Sequence, residues 1–211
     1  MIIKWLGHAS FLLESSGIKL VMDPFNAEIG YQPCKEKVDI VTVSHEHWDH
    51  NAVDTLSGNP KVVREPGITT IDGINILGIS SYHDKKQGRE RGNNTIFKIS
   101  SEDLDILHLG DLGHVLTDRQ LLEVGNVDIL LIPVGGRYTV DAEAAYEIVE
   151  QLQPQIIIPM HFLTADVSLK ELAPVEAFTA KFPRVIKKPF LEIAKDALTP
   201  EVRVIVLDYP R

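Results

Sequence analysis

Apolar and polar positions in the first half of the chain come in short runs of four to seven residues, bounded by Gly, Asp, Asn and Ser, the signature of β-strands. Ile2–Leu6, Ser10–Glu14 and Ile18–Met22 are expected as strands, the last two joined by a hairpin turn at Ser15-Ser16-Gly17. Val38–Ser44, Lys61–Arg64, Ile68–Ile71 and Ile74–Ser80 continue the series, with Asp72-Gly73 as a second hairpin turn. A flexible polar loop over Tyr82–Asn94 then leads to Thr95–Ser100 and Leu104–Leu109, paired around Ser101-Glu102-Asp103.

The second half changes period. Asp118–Val124 reads as a helix, Asp128–Val134 as a buried strand and Asp141–Leu152 as a helix whose Ala145, Ile148, Val149 and Leu152 form one apolar stripe. Ile156–Met160 is again strand. Ser168-Leu169-Lys170-Glu171 has capping-box spacing and predicts a helix opening there, with Pro174 near its start. Val202–Leu207 is a closing strand. Strands with helices covering them predict a layered α+β domain, with functional loops at strand C-termini.

Composition narrows the classes. A chain of 211 residues with 44% hydrophobic and 24% charged positions is ordinary globular protein, expected as a single domain over 1–211. Lys+Arg 21 against Asp+Glu 30 leaves a net charge of −9, which argues against a general nucleic-acid binder; the expected partner is a small-molecule substrate. Cys34 is alone, so no internal disulfide is expected and a reducing compartment fits. The N-terminus lacks a signal-peptide pattern, and the longest apolar stretches, Ile129–Val134 and Ile156–Met160, fall far short of the ~18 residues of a membrane span, so a cytoplasmic location is expected. Oligomeric state is not legible.

The densest chemistry follows the strand at Val38–Ser44: His45-Glu46-His47-Trp48-Asp49-His50. In an extended segment His45 and His47 project to one side and can grip one cation, while a helical turn at Asn51 would swing Asp49 and His50 toward a second position. Imidazole nitrogen and carboxylate oxygen suit zinc, with manganese or iron as alternatives. His83, Asp111 and His161 each follow a predicted strand, so separate strand ends bring further candidate donors to one edge.

His45-x-His47-x-Asp49-His50 after a buried strand resembles the hallmark of the metallo-β-lactamase superfamily. Trp5-Leu6-Gly7-His8-Ala9-Ser10-Phe11 and Val21-Met22-Asp23-Pro24 are similar to the opening of its lactonase and N-acyl-phosphatidylethanolamine phospholipase D-like branch. His83, His108-Leu109-Gly110-Asp111, Pro133-Val134-Gly135-Gly136 and Ile158-Pro159-Met160-His161 look like its later motifs in order. The resemblance implies a four-layer αββα sandwich holding one or two divalent metal ions. It implies His45, His47 and His83 on the first metal, Asp49, His50 and His161 on the second, and Asp111 bridging. Asp49 would also orient the nucleophile, a metal-bound hydroxide acting on an ester, lactone or phosphodiester bond. His8 is expected as a proton donor or as a partner of a ligand, and Asp23 as an acceptor that fixes a ligand imidazole. Members performing oxygen chemistry at two irons carry Glu where this chain has His47, which disfavours redox. A nucleic-acid phosphodiesterase and a non-catalytic metal sensor of the same fold are the alternatives.

The remaining candidates are assigned by chemistry. His108, inside an apolar strand, is expected to be buried and structural, His114 is ambiguous, and Trp48 is expected to pack under its loop. Lys85, Lys86, Arg89 and Arg91 form a basic cluster after His83 that reads either as a solvated surface loop or, with Arg137 and Tyr138, as a clamp for an anionic substrate. Cys34 matches no ligand motif.

Overall fold

The computed structural model describes residues 1–209. In chain order the elements are β1 (Ile2–Gly7), β2 (Ser10–Ser15), β3 (Ile18–Met22), β4 (Lys37–Thr42), β5 (Ser57–Val63), β6 (Gly67–Ile71), β7 (Ile74–Tyr82), β8 (Asn93–Ser101), β9 (Leu104–His108), α1 (Asp118–Val124), β10 (Ile129–Pro133), α2 (Ala142–Leu152), β11 (Ile156–Met160), α3 (Glu176–Thr179), β12 (Val185–Lys188), β13 (Leu191–Glu192) and β14 (Arg203–Leu207). They form two sheets, ordered β13-β1-β2-β3-β4-β5 and β12-β14-β11-β10-β9-β8-β7-β6. Both are mixed: β3, β4 and β5 run parallel in the first, and β9, β10, β11, β14 and β12 in the second.

Burial explains the layering. Trp5, Phe11, Leu13 and Leu20 of the first sheet share one apolar cluster with Ile76, Phe97, Ile99 and Ile106 of the second. Every residue of β10 and β11 is buried, so both of their faces are covered. The cover on the outer face is the predicted helical stripe, with Ala145, Ile148 and Val149 of α2 in the same cluster. A separate cluster of Leu12, Val21, Val38, Val41 and Val43 is closed by Val53 and Leu56. Among the described residues, helical cover there is the 3-10 turn Val53–Thr55. This is the αββα order, thin on one side.

Caps hold the helices where the spacing placed them. The Gln120 amide donates to Thr117 Oγ1 at 3.3 Å and the Thr117 amide to Gln120 Oε1 at 3.0 Å, a reciprocal cap on α1. Asp141 caps α2 by accepting from the Ala144 amide at 2.9 Å.

Three local expectations are corrected. No helix opens at Ser168, because the backbone there pairs elsewhere: the Ser168 amide donates to Ile29, Leu163 to Ala173 and Ala173 to Gly135. Val167 and Leu172 are buried among Phe25, Ile29 and Tyr31, and α3 begins only at Glu176. β5 starts at Ser57, earlier than its apolar part, and the short strands β12 and β13 carried no readable pattern. The segment after His83 is not a slack loop. Asp84 accepts from the amides of Lys86, Gly88, Glu90 and Arg91 at 2.7 to 3.0 Å and folds the loop around itself.

Strands β1, β4, β7, β9 and β11 end at Gly7, Thr42, Tyr82, His108 and Met160. His8, the His45–His50 loop, His83, Asp111 and His161 follow these ends directly or within three residues, so the two sheets deliver them to one place.

Candidate metal centre

Asp111 is the hub. Its Oδ2 lies 3.2 Å from Nε2 of His83, 3.2 Å from Nε2 of His161, 3.4 Å from Nε2 of His50 and 4.0 Å from Nε2 of His45. Ring nitrogens of His45, His47 and His83 come within 4.8 Å of one another, as do those of His8, His50 and His161. Asp49 Oδ2 is 3.7 Å from His50 Nε2. All seven residues implied as ligands are thus brought together, in two groups on either side of Asp111. Within the loop the His50 amide donates to the His47 carbonyl at 3.0 Å, a tight turn, and the helical turn that follows is the 3-10 segment Val53–Thr55.

Behind the donors stands a second set of residues. Asp23 Oδ2 accepts from His50 Nδ1 at 2.9 Å, and the same carboxylate accepts from the Ser44 amide at 2.7 Å and the Ser44 hydroxyl at 2.6 Å. Ser44 Oγ lies 2.9 Å from His45 Nδ1, so one buried carboxylate orients an imidazole of each group. Asn94 Oδ1 accepts from the Asp111 amide at 3.0 Å. His8, Asp23 and His161 have φ of +54°, +46° and +52°, left-handed backbone that L-residues rarely adopt.

Burial and mutual charge set the protonation states. Burial, then repulsion by His50, pushes His45 down to about 3, and burial, then His161, pushes His8 down to about 4. Burial opposes ionisation of Asp111, yet His161 and His50 hold its carboxyl well below the usual range. Burial also works against charge on His50, and Asp111 and Asp23 nevertheless raise it well above an ordinary histidine. The outcome is neutral His45 and His8 facing an ionised Asp111, the forms that ligate cations, while His50 holds a proton that ligation would release.

The donor set fits a divalent metal. His50 Nε2 and Asp111 Oδ1 are buried without a hydrogen-bond partner, which costs roughly 1–3 kcal/mol for each group unless something else satisfies it. A cation between the imidazoles would do so, and nitrogen with carboxylate oxygen is the donor chemistry of zinc, iron and manganese.

The centre opens into a cavity of about 300 Å³. His47, Asp49, His83, Asp111 and His161 form its floor, and Trp48, Leu169, Arg91 and Tyr138 its walls. Trp48 is a correction: it is 45% exposed and lines the cavity, because the tight His47–His50 turn carries it outward. The basic cluster is resolved into parts. Arg91 lines the cavity, its guanidinium 5.0 Å from the Tyr138 ring centroid, and Arg137 approaches the same ring at 6.0 Å. Lys85 instead lines a separate depression with His114, Lys86 is paired with Glu90 at 2.6 Å, and Arg89 does not line the cavity. A larger cleft of about 560 Å³ alongside shares His47 and Arg91 with it.

His108 and His114 stand outside both groups. His108 Nε2 donates to the Ala9 carbonyl at 2.8 Å, and His114 Nδ1 to the Val115 carbonyl at 2.8 Å. Cys34 is half-buried against the cluster that includes Val38 and Val41.

The family description "Beta-lactamase superfamily domain" matches residues 2–161. A UPF0173 metal-dependent hydrolase of Methanosarcina mazei is 31% identical, covering 78% of this chain and 84% of that protein. Another, of Pyrococcus horikoshii, is 29% identical, with 87% and 91% covered. Among solved structures, a candidate Zn-dependent hydrolase of the metallo-beta-lactamase superfamily from Thermotoga maritima is 37% identical, covers 98% of this chain and 99% of its own, and superposes with a TM-score of 0.83.

Proposed function

The chain belongs to the beta-lactamase superfamily and is a metal-dependent hydrolase of the metallo-β-lactamase fold, and on that premise we propose that it cleaves an ester, lactone or phosphodiester bond in a small anionic molecule. The observation that carries the reading is Asp111 Oδ2, ringed by four imidazole nitrogens at 3.2 to 4.0 Å on the floor of a cavity whose wall bears Arg91. In this reading His45, His47 and His83 hold one cation, Asp49, His50 and His161 a second, and Asp111 lies between them. Zinc is the metal best matched to a nitrogen-rich, borderline donor set. Bound there, it supplies an acidified water and positive charge for the oxyanion that develops during hydrolysis.

The protein's own residues do the rest. Asp49, on the cavity floor, orients the attacking water. Arg91 makes no ion pair among the described residues, although the chain carries nine more acidic than basic side chains. Its guanidinium, over the Tyr138 ring, is therefore free to neutralise a carboxylate or phosphate on the substrate. Tyr138 is itself held by donating to Glu171 Oε2 at 2.7 Å.

Zinc-loaded protein assayed against lactone, phosphodiester and acyl-ester panels tests this reading. We expect turnover of anionic members that is abolished by chelator and by Asp111→Asn. Failure of the loaded protein to hydrolyse any class overturns it.

A further inference from the structure

His8 was set apart from the ligands in the sequence, and the family resemblance leaves it there. The geometry does not. Around the second position, successive donors are separated by 3.1 Å (His8 Nε2 to Asp49 Oδ2), 3.7 Å (Asp49 Oδ2 to His50 Nε2), 3.4 Å (His50 Nε2 to Asp111 Oδ2) and 3.2 Å (Asp111 Oδ2 to His161 Nε2). Donors sharing one zinc at bond lengths of about 2.0–2.2 Å sit roughly 3–3.5 Å apart. The His8 ring centroid is 4.1 Å from that of His161 and 4.9 Å from that of His50.

The backbone is built to aim this ring. His8 sits at φ +54°, and its carbonyl accepts from both the Trp5 indole and the His161 amide at 3.0 Å. The next carbonyl, of Ala9, accepts from His108. Like His83 and His161, His8 turns Nε2 toward the carboxylates and leaves Nδ1 buried without a partner. It does not line the cavity, so it is not placed to protonate a leaving group.

We propose that His8 is a ligand of the second cation, completing a His8, Asp49, His50, Asp111 and His161 donor set. The second position then offers three imidazole nitrogens, matching His45, His47 and His83 at the first. The inference rests on the metal-centre reading above but on neither its substrate nor its bond.

The test titrates metal-free protein with zinc by calorimetry and with Co²⁺ followed by its visible absorption. Wild-type protein should take up two cations per chain. His8→Ala should bind the first as wild type, bind the second at least tenfold more weakly, and lose part of the Co²⁺ band. His8→Gln separates ligation from mere positioning, because its amide can still donate to Asp49 but is a poor metal ligand. It should behave like His8→Ala. If His8→Gln restores wild-type affinity and spectrum, His8 only positions Asp49 and the proposal is overturned. Full second-site affinity in His8→Ala overturns it as well. A wild-type chain that binds no cation overturns both this proposal and the metal-centre reading.

Discussion

Asp23 holds His50 from behind: its Oδ2 lies 2.9 Å from the imidazole Nδ1, and neither residue has any exposed surface. The same carboxylate reaches His45 through Ser44, so it acts on both ligand groups. Asp23→Asn keeps the size and tolerates the left-handed backbone, but halves the accepting capacity. We expect zinc affinity to fall by about 10–100-fold with little change in fold, measured by competition with a chelating dye.

Asp111→Asn should be more severe. It removes a carboxylate that lies directly beside Nε2 of His45, His50, His83 and His161, so the loss of affinity should exceed that for Asp23→Asn and include the second cation. Elemental analysis should show at most one ion per chain. Two ions at unchanged affinity would rule out the bridging role.

Gly135 approaches His161 so closely that a Cβ on it would lie 2.1 Å from the His161 carbonyl. Gly135→Ala must therefore push His161 away. We expect a destabilisation of about 1–3 kcal/mol in urea unfolding, and weakening of the second cation before the first.

Stability of the metal-free protein should peak near neutral pH. His45 and His8 are pushed down to about 3 and about 4 from an unfolded value of 6.5, so below 6.5 the unfolded chain binds more protons and stability is lost as the pH is lowered. His50 is raised well above 6.5, so its contribution is complete below that pH and is lost as pH rises through the raised value. Thermal melts of metal-free protein between pH 5 and 9 should show the melting temperature dropping on both sides. A flat profile from pH 5 to 7 would contradict the buried neutral histidines.

Arg91 should be separable from the other basic residues of its loop. Arg91→Gln should lower kcat/KM for an anionic substrate by about 10–100-fold, the loss of one charge-assisted contact worth roughly 1.5–3 kcal/mol. Lys86→Gln, at a residue already paired with Glu90 on the surface, should change it less than twofold. Equal effects would mean that the loop acts only through its summed charge.

Ligand chemistry was legible because it is local. His45-x-His47-x-Asp49-His50 concentrates its donors within one loop, and α1 and α2 announce themselves through a capping pair and an apolar stripe set by the helical repeat. Ser168-Leu169-Lys170-Glu171 carries the same capping spacing and forms no helix, because Ile29 accepts the Ser168 amide and Val167 packs among distant aromatic residues. Long-range pairing overrode a local preference worth little by itself.

The sequence alone therefore determined which donors are present, the strands that end beside them and the class of metal they suit. Tertiary structure decided which of them meet. His8 reaches Asp49 across 41 positions of chain because β1 and β4 end at the same edge, and Arg91 rather than Lys85 faces the metal cavity because Asp84 folds the loop around its carboxylate. Trp48 is open because its turn lies at the rim, where no other segment covers it. Strand periodicity records which face a residue takes within its own sheet. Distances between strand ends and exposure at the rim depend on how separate sheets pack, and no local pattern encodes that.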